Sequence, residues 1–265
     1  MTPPPHLSAL TLTVDGAIAR LTLHRPDRLN ALSRVMLGEI IETCRWLGGR
    51  RDVKVVIVAG SGRAFSAGFD LEDFAGSSAD PGETADLGRL AAEALTAVRQ
   101  LTIASIHGHC VGGGLVLASA CDLRVAAASA TFAIPELDLG IPLTWGGIPR
   151  LVREFGPALT KELVLTCRTF GPELAASAGF LNRVVDDPQR AQVVDDLAAE
   201  LARKPAFGLR VTKEQVNAAA EDMASTSRAS GDRDVLVAAL ADPESRQAAL
   251  DYLAARSRRA GDDPA

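Results

Sequence analysis

The chain has 265 residues, 47% of them apolar, with 28 Lys and Arg against 33 Asp and Glu and a net charge of −5. At roughly 100–200 residues per domain this allows one large domain or two small ones with a substantial core, and it excludes a mainly disordered chain. The acidic balance, with no basic run longer than Arg50-Arg51 or Arg258-Arg259, excludes the cationic stripe of a nucleic-acid binder, and apolar runs as short as Val55 to Ala59 exclude a segment filling the ~20-residue core of a membrane.

The start, Met1-Thr2-Pro3-Pro4-Pro5, has neither the charged nor the apolar region of a signal peptide, so the expected location is cytoplasmic. Leu10 to Val14 and Ile18 to Leu23 are β-rich and Asp15-Gly16 lies between them, which predicts an antiparallel hairpin. Val35, Leu37, Ile40, Ile41, Cys44 and Leu47 follow helical spacing behind Ser33, a side chain suited to an N-cap. Val53 to Ala59 reads as a buried strand stopped by Gly60-Ser61-Gly62, followed by a loop through Gly68 and Asp70. A helix is predicted over 83–100, a strand at Ile103 to Ile106, a small helix at Leu115 to Ala120 after Gly112-Gly113-Gly114, and a strand at Leu123 to Ala126.

Alternating strands and helices imply parallel crossovers, which gather loops and helix N-termini at one edge of the sheet. Beyond Pro157 helices are predicted over 157–166, 172–178, 188–203, 206–222, 226–241 and 243–259, with one strand at Leu181 to Val185. The last hundred residues therefore read as a helical region and not as a continuation of the sheet.

Cys44, Cys110, Cys121 and Cys167 are far apart in sequence and form no zinc-type spacing, which suits reduced thiols. The 23 glycines are more telling. No phosphate-loop signature is present, since Gly60-Ser61-Gly62 runs on into Ala64-Phe65. Two glycine-containing junctions remain, 65–70 and 109–114. Each exposes backbone N–H groups, and if their strands are neighbours two donors converge on one oxygen as an oxyanion hole. On spacing alone, tight turns and close helix packing are the simpler account of the same glycines.

Four ordered motifs resemble those of the crotonase family, the enoyl-CoA hydratases and isomerases. They are Leu23-His24-Arg25-Pro26-Asp27-Arg28-Leu29-Asn30-Ala31-Leu32, Gly62-Arg63-Ala64-Phe65-Ser66-Ala67-Gly68-Phe69-Asp70-Leu71, Ile106 to Gly114, and Phe132-Ala133-Ile134-Pro135-Glu136 with Gly140. The likeness continues through Gly146-Gly147, Leu151, Gly156 and Ala178-Gly179-Phe180-Leu181, covering roughly residues 8 to 260. It implies an α/β fold, a crotonase-like spiral of ββα units over 1–200 with a C-terminal helical trimerisation region over 201–265, assembled as a homotrimer or a dimer of trimers. The partner it implies is an acyl-CoA thioester, with coenzyme A as part of the substrate and no separate cofactor or metal. By position, the oxyanion donors fall on the N–H groups of Phe69 and Gly113. Arg25, Arg28, Leu29, Arg63, Ala67, Asp70 and Leu71 fall where similar proteins touch coenzyme A; Asp70 is also placed to cap a following helix, and Arg256, Arg258 and Arg259 are placed to reach a bound nucleotide.

Hydratases of the family resemble one another in carrying two glutamates. The first position is Val116 here, and the second is Glu136. Taken alone, Glu136 fits a surface or helix-capping carboxylate; within its motif it becomes the acid/base. Hydration is easiest with two carboxyl groups to fix the water, whereas moving a double bond from the 3- to the 2-position needs one group that takes a proton from C2 and returns it at C4. The leading expectation is therefore Δ3-Δ2 enoyl-CoA isomerisation, with enoyl-CoA hydration and non-catalytic acyl-CoA binding as alternatives. Asp138 is a second candidate carboxylate that suits a salt bridge equally well. His109 is assigned to the pocket and His107 to a structural hydrogen bond, two histidines alone being an incomplete metal site. Trp145 stands where a smaller residue is usual and is expected to line or block the acyl tunnel, and Phe69 to narrow it.

Overall fold

The structure, a computed structural model, describes residues 3–70 and 81–262, the side chains of 81, 228 and 256–262 excepted. Leu71, the helix start that Asp70 was expected to cap, and the Arg256, Arg258 and Arg259 side chains lie outside the described residues. Among the described residues no helix is long and apolar enough to cross a membrane.

The predicted hairpin forms. Strands β1 (Leu10–Asp15) and β2 (Ile18–Leu23) pair antiparallel from Leu10 opposite Leu23 to Asp15 opposite Ile18, and Gly16 turns the chain with φ +53°. Helix α1 (Arg34–Gly48) begins where Ser33 Oγ accepts the Met36 N–H at 3.2 Å, and its Met36, Leu37, Ile40, Cys44 and Leu47 stripe is buried. Strand β3 (Val55–Gly60) then joins β2 in parallel, and helix α2 (Pro81–Ala97) leads to β4 (Leu101–Ile106), parallel to β3. Five of the six β3 residues are buried, as a strand covered on both faces requires.

Strand β5 (His109–Val111) and β7 (Thr131–Ala133) form a separate parallel pair that periodicity does not reveal, because three residues are too few to show alternation. Helix α3 (Gly113–Ser119) sits between β5 and β6 (Leu123–Ala127), and every residue of it is buried. Helix α4 (Gly147–Thr166) starts ten residues before the predicted one. It breaks at Gly156 (φ +71°, ψ 167°) with Pro157 opening the second half, so a helix stop in the sequence is an interruption within one packed element.

Helix α5 (Pro172–Ser177) leads to β8 (Arg183–Val185), which pairs in parallel with β6. The six-stranded sheet runs β1-β2-β3-β4-β6-β8. The reading of the last hundred residues as apart from the sheet is thus corrected: the chain returns to the sheet edge at β8 before helix α6 (Arg190–Ala202). Val194, Leu197 and Ala198 of α6 cover Val55, Ile57, Ile103 and Val125 on one sheet face, while the larger core, with α1, α2 and α3, covers the other. Helices α7 (Ala206–Met223), α8 (Asp232–Ala241) and α9 (Pro243–Asp262) follow, with 3-10 turns at Thr226–Gly231 where a longer helix was predicted.

Candidate active site

The two glycine junctions are joined edge to edge. Phe65 N–H donates to His107 O (2.8 Å), Ser66 N–H to His109 O (2.9 Å) and Val111 N–H to Ser66 O (3.0 Å). Gly68 adopts φ +91°, and a Cβ there would stand 2.9 Å from Val111 O and 3.7 Å from Gly113 N, so only glycine lets the strands this close. Phe69 and Gly113 consequently face the same cleft. Gly113 is the first residue of α3, where an N–H has no partner within the helix, and no hydrogen bond among the described residues uses it.

A third loop braces the first junction through Asn30, a fully buried side chain that the residue-by-residue reading does not single out. Its Nδ2 donates to Ser61 O and Ala64 O, both at 2.8 Å, and its Oδ1 accepts the Arg25 N–H at 2.9 Å. Leu29 and Asn30 both lie in the left-handed region, which asparagine tolerates well; that tolerance is the signal in the sequence. Ala67 N–H donates to Leu29 O (2.9 Å), and Arg25 Nη1 pairs with Asp70 Oδ2 (2.7 Å) while also donating to Ala31 O. Arg25, Leu29, Ala67 and Asp70 are therefore brought together, with Arg25 held by the protein's own carboxylate; Arg28 and Arg63 are exposed.

Glu136 stands on the strand-to-turn segment after β7, its carboxyl directed at the second junction. A Cβ on Gly112 (φ +51°) would lie 2.5 Å from Glu136 Oε1, so the glycine makes room for the acid. The residue as a whole is half-buried, but Oε2 is shut away from solvent with no hydrogen-bond partner among the described residues. Loss of water around the charged form pushes the carboxyl up from 4.5 to about 7. A group balanced between its two forms near neutrality suits proton transfer in both directions.

The cleft is narrow and open to solvent, and it lies between the junctions, the turn 141–145, the start of α2 and Leu236 of α8. Val116 and Trp145 line it, and Thr84, Ala85 and Leu236 join from helices whose spacing in sequence gives no hint of it. Two assignments need correction. His109 is exposed, sharing a hydrogen bond with Thr131 Oγ1 at 2.9 Å, because alternation along β5 turns it away while Cys110 points inward. Asp138 is exposed beside Cys167 and does not line the cleft, since the turn that buries Glu136 faces outward two residues later. His107 donates through Nε2 to Gly62 O at 2.8 Å, a structural bond.

Residues 13–259 match the enoyl-CoA hydratase/isomerase family. The chain belongs to that family. A Mycobacterium bovis protein named as a probable enoyl-CoA hydratase is 35% identical over 215 residues, 80% of this chain and 82% of its own. The crotonyl-CoA hydratase of Syntrophomonas wolfei is 32% identical over 210 residues, covering 78% and 81%. Among solved structures of the family, an enoyl-CoA hydratase/isomerase from Xanthobacter autotrophicus Py2 has a TM-score of 0.84 at 27% identity, covering 98% of this chain and 100% of its own. An enoyl-CoA hydratase from Mycobacterium avium subsp. paratuberculosis reaches 0.86 at 23% identity, a likeness of fold alone that covers 93% and 99%.

Proposed function

We propose that this protein acts on an enoyl-CoA thioester by forming an enolate, and that it moves the double bond from C3 to C2. The observation that carries the reading is the single carboxylate: among the described residues lining the cleft Glu136 is the only acid, and the nearby position open to a second one holds the buried Val116. The thioester oxygen would be held by the N–H groups of Phe69 and Gly113, each such donor being worth about 3–4 kcal/mol as charge develops on oxygen. Glu136 in its charged form takes a proton from C2, and the C2–H electrons pass into the enolate. The same carboxyl then delivers that proton to C4, leaving the double bond between C2 and C3. Arg25 and Asp70 would shape the coenzyme A side through the loop they close.

The test is conversion of 3-hexenoyl-CoA to 2-hexenoyl-CoA, followed by absorbance of the conjugated thioester. Wild type is expected to turn over and Glu136→Gln to be slower by about 10²–10⁴-fold; equal rates would overturn the mechanism. A second reading, hydration of a 2-enoyl-CoA, is favoured by the names of the relatives, which are enoyl-CoA and crotonyl-CoA hydratases. Robust hydration by the unaltered protein would put that reading first. Assembly as a homotrimer or a dimer of trimers is part of the proposal, to be read from light scattering of the purified chain.

A further inference from the structure

Trp145 is an unusual residue to find at its position. Its φ is +63°, a region where a bulky side chain is strained, and Gly146 beside it has φ +69°. Asp232 at the start of α8 holds this turn, its Oδ2 accepting the Gly146 N–H at 2.8 Å. The indole then lies between two glycines from different helices. A Cβ on Gly88, in the middle of α2, would fall 1.9–2.2 Å from indole atoms Cε2, Cδ2 and Nε1. A Cβ on Gly113 would fall 2.4–3.1 Å from the six-membered ring at Cζ3, Cη2 and Cε3. Phe69 meets the same ring edge to face, with centroids 5.9 Å apart.

The ring is thus seated against the residue whose N–H is assigned to the thioester oxygen, while the Glu136 carboxyl is seated against the residue before it. The acid and the aromatic wall therefore stand against adjacent residues, Gly112 and Gly113, at the place where the first carbons of an acyl group would lie. Gly88 carries a second message. Glycine inside a helix costs about 1 kcal/mol relative to alanine, and here it is the floor of the pit that receives the indole.

We propose that Trp145, seated in the pit made by Gly88 and Gly113, closes the far end of the acyl site and restricts this protein to short-chain acyl-CoA thioesters. The inference rests on the proposed use of the cleft, so it is best tested by binding, which does not depend on the reaction catalysed.

The experiment is calorimetric titration of the full chain with coenzyme A and with acetyl-, butyryl-, hexanoyl- and octanoyl-CoA. Wild type is expected to bind butyryl-CoA best and octanoyl-CoA at least about tenfold more weakly. In Trp145→Ala each added methylene that finds apolar cover is expected to tighten binding by about fourfold, reversing the order, with affinity for coenzyme A itself unchanged. If that variant fails to fold, Trp145→Phe provides the same test with a smaller gain, visible at hexanoyl-CoA. Gly88→Ala should drive the ring toward Gly113 and weaken butyryl-CoA binding, and adding Trp145→Ala to it should restore binding and favour octanoyl-CoA. Equal wild-type affinity for butyryl- and octanoyl-CoA, or a length profile unmoved by both Trp145 variants, would overturn the inference while leaving the proposed function standing. Failure of every thioester to bind would overturn the proposed function and this inference with it.

Discussion

Glu39 and Glu136 are both turned into the body of the protein, and their surroundings could hardly differ more. Glu39, on α1, is met by four donors: Oε1 accepts the Ser8 N–H and Ser8 Oγ, each at 2.7 Å, and Oε2 accepts the Ala9 and Leu10 N–H groups at 3.0 Å. It fastens the start of β1 to the first helix. Glu136 has a buried oxygen with no donor at all among the described residues, and its proton is held up to about pH 7. Burial by itself therefore says little about chemistry. Four donors make Glu39 a fastener between two elements, whereas loss of water around the Glu136 carboxyl raises its pKa toward neutrality and suits it to gain and lose a proton.

The strongest way to break this contrast is to replace the two carboxyl groups in turn. Glu136→Gln is expected to lower kcat by about 10²–10⁴-fold with the fold intact. Glu39→Gln is expected to leave kcat per folded molecule unchanged while costing about 1–3 kcal/mol for each donor stranded without an acceptor, measured by urea unfolding. A methyl group aimed at Glu136 comes next. Gly112→Ala should displace the carboxyl and lower kcat by about 10²-fold, as misplacement of a reacting group by about 1 Å does, and the positive φ at Gly112 adds strain.

Acidity sharpens the same comparison. The charged form of Glu136 is the base, so kcat/KM should rise with pH through about 7 and level off above it. For stability the sign is opposite. A carboxyl raised in the folded state binds more protons there than in the unfolded chain between about pH 4.5 and 7, so its contribution is present at low pH and lost as pH rises through that window. Thermal unfolding of wild type and Glu136→Gln should therefore diverge across that range, the variant gaining as pH increases. The smallest expected effect is that of Val116→Glu, which supplies a second carboxyl and should raise hydration of crotonyl-CoA from a feeble level; a fall would weaken the one-acid account.

Much of this arrangement is legible in the residues themselves. The Asp15-Gly16 hairpin, the Ser33 cap and the strands flanking the glycine junctions follow from local rules, because each depends on neighbours in the chain, whereas Glu136 stands out only through the resemblance of its motif and by itself reads as a surface carboxylate. What escapes depends on distant partners. Three-residue strands such as β5 and β7 have no period to detect, and the buried Asn30 gains its meaning only when residues 61 and 64 come beside it. His109 and Asp138 were placed by proximity in sequence to the motifs, and the alternation of β5 and the turn after Glu136 send both side chains outward. Gly88 reads as a weak spot in a helix until Trp145 is seen to fill the space above it.

Exchange of the C2 protons of butyryl-CoA in heavy water, followed by proton NMR, addresses enolate formation with no double bond present to complicate it. Wild type should replace those protons with deuterium and Glu136→Gln should leave them in place while still binding the ester. Retention of the protons by bound ester in wild type, or equal exchange in the variant, would contradict the account.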